Sequence, residues 1–309
     1  MTCPKCGSRD IENRGQKGDK KQIKCNSCGK WSNISVNWRD FKDVALTHQQ
    51  LKEKLDVSQT EATAKIPHSD IVLIIGDMHL GNAGVDYQFF QMFTDFLIEH
   101  KLYFILAGDD IDQFFTSFYT AYPVHEQVLT PDEQYLFLEQ WLGEVGERLI
   151  CSCWGNHDYR LEKLTGMKFI DRLKARFAPY FDGIGKLTLK VGKQKYKVIL
   201  THKAPGHSIY NPLNGLFRIA RQMVSGDLII GAHTHQEARA QWYIRNKKVI
   251  AIKPGALIRN DNYAERHFSF GPGIPEIPAV WFSDKEKKMI DFDDFRDALV
   301  FRDAMQNKI

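Results

Sequence analysis

Strand-like and helix-like segments alternate along this chain and give way to hairpins, which predicts a layered α/β domain with a mixed sheet or two stacked sheets. Three observations carry that reading. Apolar runs such as Ile71-Val-Leu-Ile-Ile75 alternate with segments of helical spacing. Five short polar clusters each follow directly on a strand-like run. Two Cys-x-x-Cys pairs sit in front of all of this, in a segment too short to bury a core. With 309 residues, 43% of them apolar, the chain is long enough for one large domain and a small accessory one. No apolar run approaches the roughly 20 residues of a membrane span. No apolar signal segment precedes Cys3, so a cytoplasmic chain without disulfides is expected.

Residues 1–39 form the front module. Cys3-Pro-Lys-Cys6 and Cys25-Asn-Ser-Cys28 are separated by 18 residues. Two such knuckles supply four thiolates, the ligand set of a closed structural zinc site. Gly7 and Gly29 follow the knuckles, where a tight turn needs a permissive backbone. The module resembles a zinc ribbon, and the metal would hold it together. Trp31 and Trp38 close it, and either base stacking or packing over the knuckle suits them. Residues 1–40 carry nine Lys and Arg against four acids, which leaves 33 basic and 34 acidic residues elsewhere. A basic module on a near-neutral body points to a polyanion partner.

Residues 40–66 are polar and mostly aperiodic and read as a linker, with a short helix over Gln49–Leu55. Pro67 opens the main domain, 67–309. Ile71–Ile75 is a buried strand, and Asp86–His100 has helical spacing through Phe89, Phe90, Phe93, Phe96 and Leu97. Leu102–Leu106 is a second strand. Thr130-Pro-Asp-Glu133 is a capping box that starts a helix running to about Leu149. Leu149–Trp154 is a third strand, in which Cys151 and Cys153 alternate onto one buried face. Arg160–Phe177 reads as helix. Leu187–Val191 and Tyr196–Leu200 flank Gly192-Lys193 as a hairpin. Leu216–Val224 is helical, Leu228–Ile230 is strand, and Trp242–Ile244 with Val249–Ile252 forms another hairpin.

The five clusters are Asp77-Met-His79, Gly108-Asp109, Gly155-Asn156-His157-Asp158, Thr201-His202 and Gly231-Ala-His233-Thr-His235. Strand ends are where open α/β sheets place their sites. The set holds enough carboxylates, imidazoles and amide oxygen for two metals. In that order, and from Ile71 to Leu257, the chain resembles the calcineurin-like metallophosphoesterase family. The resemblance implies a β-sandwich flanked by helices and a dinuclear centre of divalent ions, with manganese first and iron or zinc as alternatives. It assigns Asp77, His79 and His235 to the first metal and Asn156, His202 and His233 to the second. Asp109 is then the bridging carboxylate. His157 resembles the family's non-ligand histidine, which protonates the leaving oxygen or stabilises the transition state. Asp158 either orients that imidazole or caps the next helix, and Arg160 either binds phosphate or is a solvated helix-start arginine. The family commonly has Gly after the histidine that His202 matches. Here Lys203 follows and His207 competes, and His202 is preferred because it ends the run Val198-Ile-Leu200. Asp110 and Asp112 are expected behind the ligands, with Asp112 on a ligand histidine.

Substrate is less constrained than reaction type. Asp77-Met-His-Leu-Gly81 resembles the opening motif of double-strand-break repair nuclease subunits, and the basic ribbon points the same way. A phosphodiesterase acting on nucleic acid, DNA before RNA, is the first expectation. A phosphomonoesterase with the ribbon as a protein-interaction module is the alternative, and a non-catalytic adaptor the third. The aromatic stretch Gln113–Leu129 can stack bases at the site mouth or pack as core or lid.

Overall fold

The computed structural model describes residues 3–17, 20–35, 42, 45–46, 49–50, 56, 58–114, 126–206, 208, 210–223, 226–259 and 275–306. The chain divides into two units, Met1–Asp56 and Val57–Ile309. The first contains a three-stranded antiparallel sheet of β1 (Ile11–Lys17), β2 (Lys20–Cys25) and β3 (Trp31–Ser35). Ile23, Cys25 and Cys3 are buried there, and Trp31 is exposed. Trp38 and most of the helix expected at Gln49–Leu55 lie outside the described residues.

The second unit opens with β4 (Glu61–Ile66), inside the stretch read as linker. Its inward side chains are Ala62, Ala64 and Ile66; the two alanines pack only partly on the core and give too weak an apolar period to read as a strand. Next come β5 (Asp70–Ile75), α1 (Tyr87–Glu99) and β6 (Tyr103–Leu106). Asp86 caps α1 by accepting from the Phe89 amide. Then α2 (Pro131–Val145) starts on the expected capping box: Thr130 Oγ1 accepts from the Glu133 amide, and the Glu133 carboxylate accepts from the Thr130 amide. It leads into β7 (Leu149–Cys153). The helix expected over Arg160–Phe177 is two helices, α3 (Asp158–Thr165) and α4 (Phe169–Ala175). The break is Gly166, which ends α3 in the left-handed conformation with φ 71°.

The second half holds β8 (Tyr180–Phe181), the hairpin β9 (Gly185–Val191) and β10 (Gln194–Leu200), α5 (Asn214–Gln222) and β11 (Leu228–Ile230). The second hairpin, β12 (Ala238–Ile244) with β13 (Lys247–Lys253), is longer than its sequence signal. Four of these elements carried no expectation: β8, and beyond the second hairpin β14 (Ala279–Phe282), β15 (Met289–Phe292) and α6 (Phe295–Gln306).

Two six-stranded sheets result, ordered β12-β13-β11-β10-β9-β4 and β15-β14-β5-β6-β7-β8. Their inner faces meet through Val72, Ile74, Ile105 and Phe282 from one and Leu189, Tyr196, Val198 and Ile230 from the other. Cys151 and Cys153 lie in that layer as small buried hydrophobes. Helices α1, α2, α4 and α6 cover the outer face of the second sheet, through Phe93, Leu138, Trp141, Leu173 and Phe295. On the first sheet α5 covers Ile199, Ile229 and Ala251 with Leu216 and Ile219. The fold is thus a layered β-sandwich flanked by helices. Among the described residues no helix is long and apolar enough to cross a membrane.

The reciprocal cap on α2 makes a direct test. Thr130→Ala removes the acceptor for the Glu133 amide and is expected to lower unfolding stability by about 1 kcal/mol, read by urea denaturation.

Candidate metal centre

The clusters converge because β5, β6, β7, β10 and β11 all end at one rim of the sandwich. The loops after β5 and β6 hydrogen-bond to each other: the Asp77 amide donates to Gly108 O and the His79 amide to Asp109 O, both at 3.0 Å. Gly108 has φ 88°, and a Cβ there would meet Trp154 O at 2.5 Å and His202 Nδ1 at 2.9 Å. A Cβ on Gly155 would collide with the Asp109 amide nitrogen. Only glycine lets these loops approach so closely.

Asp77, His79 and His235 each offer a ligand atom within 4.8 Å of the others, and so do Asp109, His202 and His233. A third such group, His79, Asp109 and His157, links the first two. Asp109 therefore stands between the halves, its Oδ2 lying 3.1 Å from His202 Nε2 and 4.0 Å from His79 Nε2. Asn156 Oδ1 lies 3.0 Å from His202 Nε2. Each half draws on both sheets. Asp77, His79, Asp109 and Asn156 follow strands of one, and His202, His233 and His235 follow strands of the other. His207 lies outside the described residues, whereas His202 is buried within the cluster.

Hydrogen bonds behind the rings aim them. His202 Nδ1 faces Ala107 O at 2.9 Å, which turns Nε2 toward Asp109 and Asn156. His79 Nδ1 faces Asp112 Oδ1 at 3.0 Å, which turns its Nε2 toward His235 Nε2, also at 3.0 Å. This is the arrangement that prepares imidazole for a metal. Asp77 accepts from the His233 amide on both oxygens, at 3.1 and 2.9 Å. Lys253, buried at the end of β13, donates to Thr234 Oγ1 between His233 and His235.

Burial pushes Asp77 up to about 6. Burial alone would raise Asp109 too, but the surrounding His202, His157 and His79 hold it well below the usual carboxylate range. Burial alone would depress His202, and Asp109 outweighs it, raising the imidazole to about 9. The field here favours positive charge. Paired carboxylates and imidazole nitrogens converging in such a field fit divalent manganese, iron or zinc.

His157 adjoins the centre, its ring 4.3 Å from that of His79. Asp112, and not Asp158, orients it: His157 Nδ1 lies 2.8 Å from Asp112 O and 3.2 Å from Asp112 Oδ1. Asp158 does neither thing expected of it. Residue 157 holds the N-cap position of α3, with no side-chain cap bond, and the Asp158 carboxylate is committed elsewhere. It accepts from Lys174 Nζ at 2.8 Å and from the Asp110 amide at 3.2 Å. Lys174 is fully buried and also donates to Asp110 at 2.7 Å and Cys153 O at 2.9 Å. Sequence reading missed this lysine. Its position on the face of α4 that carries Ile170 and Leu173 was the available signal. Arg160 is not a solvated side chain. It stacks on Phe114 with 3.7 Å to the ring centroid and donates to Asp112 O at 3.0 Å. Its Nη2 lies 2.8 Å from His157 Nε2. Phe114 is the described member of the aromatic stretch, with its ring edge-on to His157 at 5.2 Å, and Phe115, Phe118, Tyr119 and Tyr122 lie outside the described residues.

The four front thiols, Cys3, Cys6, Cys25 and Cys28, also lie within 4.8 Å of one another. This is compatible with a zinc ribbon.

A profile of the calcineurin-like phosphoesterases matches residues 71–237. No curated protein matches the chain. Among solved structures, a single-mutant Vps29 from Entamoeba histolytica is similar at 17% identity over 72% of this chain and 99% of that one, with a TM-score of 0.41. Vacuolar protein sorting 29 from Cryptosporidium parvum gives 14%, 74%, 100% and 0.41 for the same four measures. A predicted phosphoesterase from Streptococcus pneumoniae gives 15%, 74%, 99% and 0.34.

Two substitutions test the support behind the centre. Asp112→Asn weakens the hold on His79 and His157 together, and manganese affinity by calorimetry is expected to fall about 10–100-fold. Lys174→Met leaves Asp110 and Asp158 buried without their cation and is expected to cost about 3–5 kcal/mol in urea unfolding.

Proposed function

This chain belongs to the calcineurin-like phosphoesterase family, hydrolases of phosphoester bonds, and on that premise we propose that it is a nuclease cleaving phosphodiesters in nucleic acid, DNA first. The observation that carries the catalytic half is Asp109, within ligand distance of both halves of the centre and beside His157. Asp77, His79 and His235 would hold one divalent ion, Asn156, His202 and His233 a second, and Asp109 would bridge them. When bound, such a pair supplies Lewis-acid charge at the phosphoryl oxygens and lowers the pKa of the attacking water. Manganese suits the mixed carboxylate and imidazole set.

The chain's own residues do the rest. Arg160, fixed on Phe114 and Asp112 O, presents a guanidinium where a phosphate meets His157. Burial lowers the His157 pKa, so its Nε2 faces Arg160 as a neutral acceptor. An arriving phosphate anion offsets that penalty and favours the imidazolium. The imidazolium then gives its Nε2 proton to the leaving alkoxide, while Asp112 holds Nδ1.

The substrate half of the proposal rests on the front module. Its sheet is braced by the four-cysteine cluster, and zinc suits that set. Lys24 and Trp31 face each other across β2 and β3 on one side of it. A cation beside an exposed indole suits a nucleic acid strand.

With added manganese the protein is expected to cut single- or double-stranded DNA, and Asp109→Ala or His157→Ala to lower the rate by at least roughly 100-fold. Hydrolysis of phosphopeptides with no cleavage of DNA or RNA would move the assignment to a phosphomonoesterase. Cys25→Ser in the full chain is expected to leave hydrolysis of a small aryl phosphodiester unchanged and to weaken binding of long DNA, read by fluorescence anisotropy.

A further inference from the structure

Resting on the nucleic-acid reading above, we propose that the outward face of β4, β9 and β10 docks the phosphate backbone of a nucleic acid duplex. This face belongs to the catalytic unit, whose overall charge is close to balanced. The register concentrates positive charge on it. Parallel pairing of β4 with β9 and antiparallel pairing of β9 with β10 align outward residues in rows. One row is Lys65, Lys190 and Lys195. The next is Thr63, Thr188 and Lys197. In the third, Glu61 pairs with Lys186 at 2.9 Å, and Ile199 lies under α5. The nine outward positions therefore carry five lysines and one acid. The inward partners Leu187, Leu189, Val191, Tyr196 and Val198 are buried in the sandwich, so the lysines have no other side to occupy.

Like charges directly opposite one another on neighbouring strands destabilise a sheet. Lysine placed to guard an exposed edge against aggregation belongs on the edge strand. That accounts for Lys65 on β4, and not for Lys190, Lys195 and Lys197 on the two strands inside it. A polyanion accounts for all four. The chemistry of the face selects which one. No aromatic residue occupies an outward position on these strands, so unpaired bases have nothing to stack on. Among the described residues no exposed large apolar side chain stands there to insert into lipid. Flexible ammonium groups and threonine hydroxyls contact phosphates without reading bases. A groove of ≈ 850 Å³ between this face and the end of α5, lined by Thr63, Thr188, Lys197 and Gln222, continues the surface. Lys195 precedes His202 by seven residues along β10, about 23 Å at roughly 3.3 Å per residue. A duplex lying along β10 thus leads from the lysine row to the rim where the strands end in the metal centre.

The test is a full-length variant, Lys65→Gln/Lys190→Gln/Lys195→Gln/Lys197→Gln, compared with wild type. Duplex DNA binding is measured by anisotropy without added manganese across a salt series, alongside manganese-dependent hydrolysis of a small aryl phosphodiester. Expected are a loss of affinity of about tenfold or more, a log–log salt slope shallower by about 3, and unchanged small-diester hydrolysis. Equal duplex affinity and slope in the two proteins overturns the proposal. So does wild-type binding to phosphatidylserine vesicles without binding to duplex. If the variant loses duplex affinity but wild type cleaves no nucleic acid, the docking surface stands and the nuclease reading falls.

Discussion

One ammonium group organises the catalytic rim. Lys174 Nζ, fully buried on α4, donates to Asp110, to Asp158 and to the Cys153 carbonyl. Asp110 is the neighbour of Asp109, Asp158 is the neighbour of His157, and Cys153 ends β7. A single cation thereby fixes the loop after β6 against the loop after β7. Only in that register can the His157 amide donate to Asp109 Oδ1 at 2.7 Å. A buried cation flanked by two carboxylates is costly to assemble and more costly to break. Opening that junction alone would strand two buried carboxylates without their cation.

A second constraint lies in the backbone. Asp77, His79, Asp109, His233 and His235 all have positive φ, from 49° to 79°. Non-glycine residues in that region cost on the order of 1–3 kcal/mol each. They stand immediately past strand ends, where the ladder hydrogen bonds of β5, β6 and β11 over-determine the turn. The left-handed step turns the chain sharply enough for two side chains one residue apart, Asp77 and His79 or His233 and His235, to reach the same centre. Stability built in the three core layers is in this way converted into side-chain geometry at the rim.

The clusters that converge at the rim were legible in sequence because each is a short polar signature on a long apolar run, and the helix after Thr130 because its cap is local. What escaped depends on partners distant in sequence. Whether Asp158 or Asp112 holds the His157 ring is decided by which loop lies across from it, so adjacency in sequence misled. Lys174 looks like any amphipathic-helix lysine until Asp110 is known to face it. β4 hides behind two alanines, and Gly166 splits a helix whose periodicity nearly continues through it. The lysine rows cancel in a net charge, and only the pairing of β4, β9 and β10 brings them together.

Because Asp77, His79, Asp109 and Asn156 come from one sheet and His202, His233 and His235 from the other, a cation seated at this rim also rivets the two halves of the sandwich. Loading and sheet-to-sheet alignment then become one equilibrium. The layer between the sheets, where Tyr196 meets Phe282 at 5.0 Å, acquires leverage over chemistry it never touches. Evolution can retune such a centre by trading a methyl group deep in that layer.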